Sequence, residues 1–366
     1  MRVLSRKIRV FVSLLTLYSI CSSAHDTDSK PENLLRKNRK RRLSKNLGLN
    51  PSNLRLNEIS IGFLPALGEL IAPNTPQQIN TKLPAPMAIM GDYINLDSSD
   101  PNLSGIDAHV KFQKSLNGNP VWEMALMPYK GLELVTQEVA NRIASKMSGL
   151  NDQGITVWLR FAHEMNGDWY IWGGKPHLFL EKWKMVARAV KSRTSSTSML
   201  WSPNSAFGKV NDIRGGYAKY WPGSKHVDII GLSFYHYGGY DRSNVMPTAR
   251  EAQVLIKDFS DLYSKPHNLP VVLSETGASY TRSLSTGQSA PGGASEYSIK
   301  LHWLQQLVSK DLRQAVPLFK AFTWFEVKKN ENAAGSSPVK SEDFRLVMGD
   351  LKMSTDAVAF MAAKVQ

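Results

Sequence analysis

From Asn57 onward the chain repeats one pattern: a short apolar run, a loop, a stretch with helical period, then another apolar run. The runs are "ISIGFL" (59–64), "PMAIMGDYI" (86–94), "VWEMALMP" (121–128), "ITVWLRFAH" (155–163), "SMLWSP" (198–203), "VDIIGLSFY" (227–235), "LPVVLSE" (269–275) and "FKAFTWFE" (319–326). Most lack strict alternation, as strands buried on both faces should. Between them, Val135, Val139, Ile143 and Met147 recur every four residues and end at Gly149, read as a C-terminal cap. Leu178, Trp183, Val186, Ala187 and Val190 make one face of a second helix. Thr248 to Glu251 reads as a capping box ahead of Leu255, Ile256, Phe259 and Leu262. Tyr297, Leu301, Leu304 and Val308 form a further stripe. Eight buried strands alternating with helices predict an α/β fold, a (β/α)8 TIM barrel in a single domain, for which 366 residues are enough. An open doubly wound sheet fits less well, because no Gly-rich phosphate loop follows an early strand.

The N-terminus follows other rules. Residues 1–24 have a basic start, an apolar stretch from Val10 to Ile20, and small residues at Ser22 and Ala24. That is the pattern of a secretory signal peptide cleaved after Ala24, too short for a comfortable membrane span. Cys21, the one cysteine, lies inside it, so the mature chain would hold no disulfide. The formal net charge is +14, of which residues 1–24 carry +4 and residues 25–42 another +4. The run "RKNRKRR" (36–42) behind a signal reads as a dibasic processing site, with a mature start near Leu43. The organisation expected is thus a signal peptide at 1–24, a basic pro-segment or linker at 25–56, and the barrel at 57–366. The remaining body is only mildly basic. Nucleic acid is therefore not an expected partner, nor is a membrane once the signal is removed, and the secreted chain is expected to act as a monomer. Asn102-Leu103-Ser104 is a glycosylation sequon.

In such a barrel, polar groups at the C-terminal ends of strands are the candidates for chemistry. Strand four ends in His163-Glu164, strand six in Tyr235-His236, strand seven in Glu275 and strand eight in Trp324-Phe325-Glu326. Two carboxyl groups facing each other across a concave mouth are the equipment of glycoside hydrolysis: one protonates the leaving oxygen, the other attacks the anomeric carbon or activates water. Trp169, Tyr170, Trp172, Trp201, Tyr235, Tyr237 and Trp324 follow strand ends, where rings either stack on sugars or cap a core. "HEMNG" lacks the second histidine of a zinc-protease helix, and no G-x-S-x-G occurs. Neither a metal nor a cofactor is expected.

"RFAHEMNGDWYIWGG" resembles the signature of glycoside hydrolase family 26, with its R-P-F-H-E-M-N-G core. The likeness continues through "LWSPN" (200–204), "VDIIGLSFY", "VVLSETG" (271–277) and "TWFEVKK" (323–329), from about Ile59 to Lys329 in the family's order. It implies a retaining enzyme on a (β/α)8 barrel, of the kind best known as endo-β-1,4-mannanases acting on mannan, galactomannan or glucomannan. It also implies Glu164 as acid/base and Glu275 as nucleophile. His163 would fix the substrate and the acid/base. Trp169 and Trp172 would contact sugar, Tyr235 would bond the nucleophile, Trp324 would be the platform at the cleavage point, and Arg160 would point into the barrel and lower nearby carboxyl pKa values. Phe161-Ala162 stands where Pro-Phe is usual, Ser233 where Asp is common, and Glu326 where Asn is frequent. The first two would alter packing, and Glu326 a sugar contact. Within the same family, β-glucanase and β-1,3-xylanase are the alternatives; outside it, a catalytically silent carbohydrate-binding barrel.

Overall fold

A computed structural model describes residues 47–68, 71–205, 216–238, 244–333 and 336–364, without the side chains of 332, 333 and 336–339. The expected signal peptide and most of the expected basic pro-segment lie outside the described residues. Each apolar run forms a strand. They are β2 (Ile59–Pro65), β3 (Ile89–Asn95), β4 (Val121–Met127), β5 (Val157–Phe161), β6 (Thr197–Trp201), β7 (Ile229–His236), β8 (Val271–Ala278) and β10 (Phe319–Glu326). All eight are parallel in sequence order, and β2 pairs with both β3 and β10, so the sheet closes into a (β/α)8 barrel. A two-residue strand β1 (Arg55–Leu56) joins β2 from outside, antiparallel.

The helices α1 (Pro76–Asn80), α2 (Ser104–Lys114), α3 (Gln137–Asp152), α4 (Pro176–Arg193), α5 (Glu251–Phe259), α6 (Glu296–Leu307), α7 (Lys310–Ala315) and α8 (Leu351–Ala362) follow or lie between strands. Three sequence expectations shift here. Helix α3 runs through Gly149 to Asp152, since Gly149 does not take the left-handed backbone angle by which a glycine caps a helix. In α6 the buried face is Ile299, Lys300, Trp303, Leu304 and Leu307, rotated from the expected stripe, and Tyr297 is exposed. Of the capping box, only the return half forms: Glu251 accepts from Thr248 N–H at 3.1 Å.

The folded unit also starts earlier than residue 57. Leu47, Leu54 and Leu56 are buried, and the Trp158 indole donates to Leu47 O at 2.9 Å. Leu47 joins Ile89, Val121, Trp158, Leu200, Ile229, Val272 and Ala321 in an apolar plug at the N-terminal end of the strands. Above this plug the lumen turns polar, holding Glu123, Arg160, Ser202, Ser274 and Thr323. A β-bulge in β8 opens the way. Leu273 to Glu275 spans one residue more than Leu232 to Ser233 on β7, and Leu273 to Thr276 one more than Phe322 to Trp324 on β10. The extra residue lets consecutive side chains, Ser274 and Glu275, both reach inward.

One element had no apolar signal at all. Strands β9 (Tyr280–Ser283), β11 (Lys328–Ala333) and β12 (Ser336–Asp343) form an antiparallel sheet in the order β11-β12-β9. Just beyond it, Phe344 packs against Tyr235, Tyr237 and Phe325 and walls one side of the barrel mouth.

Candidate active site

The loop after β5 is folded around its carboxyl group. Ala162 and Glu164 both take left-handed backbone angles, φ +47° and +53°. Such angles cost a non-glycine residue about 1–2 kcal/mol and persist only where the surroundings impose them. Here the imposing contacts are on both sides. Ala162 N–H donates to Leu126 O at 3.0 Å and Glu164 N–H to Ser202 O at 2.8 Å, tying the loop to the flanking strands. Gly174 N–H returns to Met165 O at 2.9 Å, and the Trp172 indole donates to His163 O at 2.8 Å. Asn166 completes the knot: its Nδ2 donates to Asn204 O and its Oδ1 accepts from Asn204 N–H, both at 2.8 Å.

Glu164 is thereby held at the mouth, 6% exposed. Asn204 Nδ2 donates to its Oε1 at 2.9 Å, and the Trp169 indole donates to its Oε2 at 2.8 Å. Burial raises its pKa first and the charge of Glu275 second, against the pull of Arg160, Asn204 and Ser233. Glu275, 3% exposed, lies across the lumen in a different grip. Arg160 Nη1 donates to its Oε1, and the Tyr235 hydroxyl donates to its Oε2 at 2.5 Å. Arg160 is itself spread over the lumen, with Nε on Ser202 Oγ at 2.9 Å and Nη2 on Ser233 Oγ at 2.6 Å. Ser233, at the position expected to alter packing, thus serves as a bridge between the guanidinium and the Glu164 side.

The structure brings Arg160, His163, Glu164, Trp169, Tyr235 and Glu275 together. His163 is fully buried between Tyr93, stacked at 5.7 Å, and Tyr170, edge-on at 5.1 Å, and neither ring nitrogen has a hydrogen-bond partner among the described residues. Burial and the Arg160 charge push its pKa well below the ordinary histidine value, so the ring is neutral. Trp169 is 49% exposed beside Glu164, free to meet a ligand.

Other expectations need correction. Trp172 is buried, stacked on Tyr170 at 4.2 Å, and serves as a prop for the loop. Trp324 is also buried, its indole donating to Phe344 O at 2.8 Å, so it offers no open face to a sugar. Trp201 lies outside the lumen, among Tyr217, Trp221, Phe259 and Tyr263. Glu326 is no sugar contact: fully buried, it accepts the backbone N–H groups of Leu346, Val347 and Met348 at 3.1, 2.8 and 2.6 Å. Sequence reasoning missed Asn204, although "LWSPN" ends on it, and Tyr93, which carries no motif. Among the described residues, no group of three or more His, Cys, Asp and Glu is placed to hold a metal ion.

Fold and site together define a (β/α)8 barrel with two buried, differently held carboxyl groups at its C-terminal mouth. The family model for Glycosyl hydrolase family 26 matches residues 128–257, the stretch that contains His163-Glu164 and Tyr235. A mannan endo-1,4-beta-mannosidase of Bacillus subtilis is 31% identical over 110 residues, 27% of this chain and 29% of the relative. "Mannan endo-1,4-beta-mannosidase A and B" of Caldalkalibacillus mannanilyticus is 25% identical over 111 residues, 27% of this chain and 20% of that one. The chain thus matches less than a third of the length of either relative. In three dimensions it is similar to the catalytic domain of a GH26 endo-beta-1,4-mannanase from Bacillus sp., with a TM-score of 0.57 and 16% identity over 89% of this chain and 90% of that one. It is also similar to GH26C of Muricauda sp., with a TM-score of 0.54 and 18% identity over 82% and 88%. These two likenesses show the fold. The resemblance to glycoside hydrolase family 26 therefore stands on the family model as well as on the motifs.

Proposed function

We propose that the chain is a retaining glycoside hydrolase that cleaves β-1,4-mannosidic bonds within mannan-type polysaccharides, acting as a secreted monomer. The observation that carries this reading is the unequal treatment of two buried carboxyl groups, with Glu275 bonded by Arg160 and Tyr235 and the Glu164 pKa raised by burial and by the Glu275 charge. A double displacement needs that inequality. Glu164 enters as the acid and gives its proton to the glycosidic oxygen as that bond breaks. Glu275 attacks the anomeric carbon as a carboxylate, forming a glycosyl ester. Glu164, now the base, takes a proton from water, which displaces Glu275 and regenerates the first state. Arg160 and Tyr235 aim the attacking oxygens. Trp169 holds the Glu164 carboxyl in place and offers its exposed face to the sugar beyond the cleaved bond. The mannanase names of the relatives support mannan as the substrate.

Reducing-sugar release from soluble galactomannan tests the proposal, with barley β-glucan and β-1,3-xylan in parallel. Galactomannan should be cleaved fastest, and Glu164→Ala and Glu275→Ala should each abolish turnover. Binding of galactomannan without turnover by the wild-type chain would make it a silent carbohydrate-binding barrel. Secretion and processing are tested by N-terminal sequencing of exported protein: a start near Leu43 supports the pro-segment, and a start at His25 removes it.

A further inference from the structure

The lumen holds a third carboxyl group that no step above uses. Glu123 projects from β4, is 2% exposed, and accepts a hydrogen bond from the Thr323 hydroxyl of β10 at 2.6 Å. In the closed sheet β2 and β3 stand between β4 and β10, so this bond crosses the lumen and fixes Glu123 inside it. Arg160 shares that space, but its donors go to Ser202, Glu275 and Ser233, and among the described residues none goes to Glu123. A buried carboxylate without several donors or a contacting cation is costly, so this setting favours the neutral acid. In agreement, burial pushes the Glu123 carboxyl up to about 8, with Arg160 and the Thr323 hydroxyl pulling it down and the charge of Glu275 pushing it up.

We propose that Glu123 is a positioning residue for Glu275, acting through Arg160: as the neutral acid it leaves the guanidinium to Glu275, and as the carboxylate it competes for it. The role rests on the glycosidase reading. The groups that face Glu123 are Arg160 from β5, Glu275 from β8 and the Thr323 hydroxyl from β10. When Glu123 ionises, two carboxylates share one buried guanidinium. Arg160 then no longer holds Oε1 of Glu275 in the geometry of attack. The consequence is an alkaline loss of glycosylation rate that does not involve the proton on Glu164.

The test uses the full chain with Glu164→Gln, in which the acid/base no longer titrates. The substrate is 2,4-dinitrophenyl β-mannobioside, whose leaving group departs without a proton. In this background kcat/KM should fall above a midpoint of about 8, by about tenfold per pH unit. Adding Glu123→Gln, which stays neutral and still accepts from Thr323, should flatten that limb. Thr323→Val, which removes a donor to the carboxylate, should move the limb to higher pH. A purely structural role would scale the profiles without moving their midpoints. Coincident limbs with and without Glu123→Gln overturn the proposal, and if that variant does not fold, an unmoved limb in Thr323→Val overturns it. A wild-type chain that cleaves neither mannan nor the aryl mannoside overturns the glycosidase reading and this role with it. An active chain whose limb ignores both substitutions overturns the role alone.

Discussion

Replacing Gly167 by alanine separates the placement of Trp169 from the rest of the fold. Gly167 does not use the left-handed backbone region, so alanine can adopt its conformation. The obstacle is the indole: a Cβ at Gly167 would lie 2.3, 2.4 and 2.5 Å from Cη2, Cζ2 and Cζ3 of Trp169. Carbon atoms pack at about 3.5–4.0 Å, so the ring has to retreat by about 1 Å or more. It is half exposed and has room to swing outward, so stability should fall by less than about 1 kcal/mol. The retreat breaks the 2.8 Å bond from the indole nitrogen to Glu164 Oε2. A hydrogen bond to a carboxylate contributes about 1.5–3 kcal/mol, which corresponds to a loss of about 10- to 150-fold in kcat/KM. The assay is kcat/KM on galactomannan beside the melting temperature. Trp169→Phe should give a similar loss, and the double variant little more than either, because both remove one interaction. Wild-type kcat/KM in Gly167→Ala would refute the reasoning, and so would unfolding.

Two further outcomes follow from the same geometry. Because burial and then the charge of Glu275 raise the Glu164 pKa, Glu275→Gln should lower the Glu164 midpoint in a carboxyl-carbon NMR titration; an unchanged midpoint would mean that the two groups do not sense each other. Glu326→Ala strands three backbone N–H groups and should cost about 3 kcal/mol or more in urea unfolding, with KM nearly unchanged; a large KM change at wild-type stability would return Glu326 to the sugar site.

The barrel was legible because its strands are buried on both faces and therefore read as largely apolar runs, such as Ile59–Pro65, buried at every position. The β9–β11–β12 sheet was not, because stretches such as "KKNENA" are polar, and only its pairing makes it a sheet. In α3 a glycine carries a helical cost of about 1 kcal/mol relative to alanine, too little to stop a helix with a long buried face. Glu164 and Glu275 stood out since each ends an apolar run at the barrel's mouth. Of their partners, Arg160, Trp169 and Tyr235 stood out with them, but Asn204 did not: it meets Glu164 only because β6 pairs beside β5, and the bulge that turns Glu275 inward has no sequence mark. Counting aromatic residues could not separate Trp169, which is exposed, from Trp172 and Trp324, which are buried.

The central claim is that Glu275 forms a bond to the sugar and Glu164 serves it as acid and base. A 2-deoxy-2-fluoro-β-mannosyl fluoride with a second mannose attached should trap the first intermediate, since the C2 fluorine slows both cationic steps while the departing anomeric fluoride keeps formation of the ester fast. Peptide mass spectrometry of the inactivated protein should place the added disaccharide on Glu275, and excess mannobiose should release it as activity returns. A label on Glu164 would reverse the two roles. Normal turnover of the fluoride with no label and an inverted product would contradict the double displacement itself.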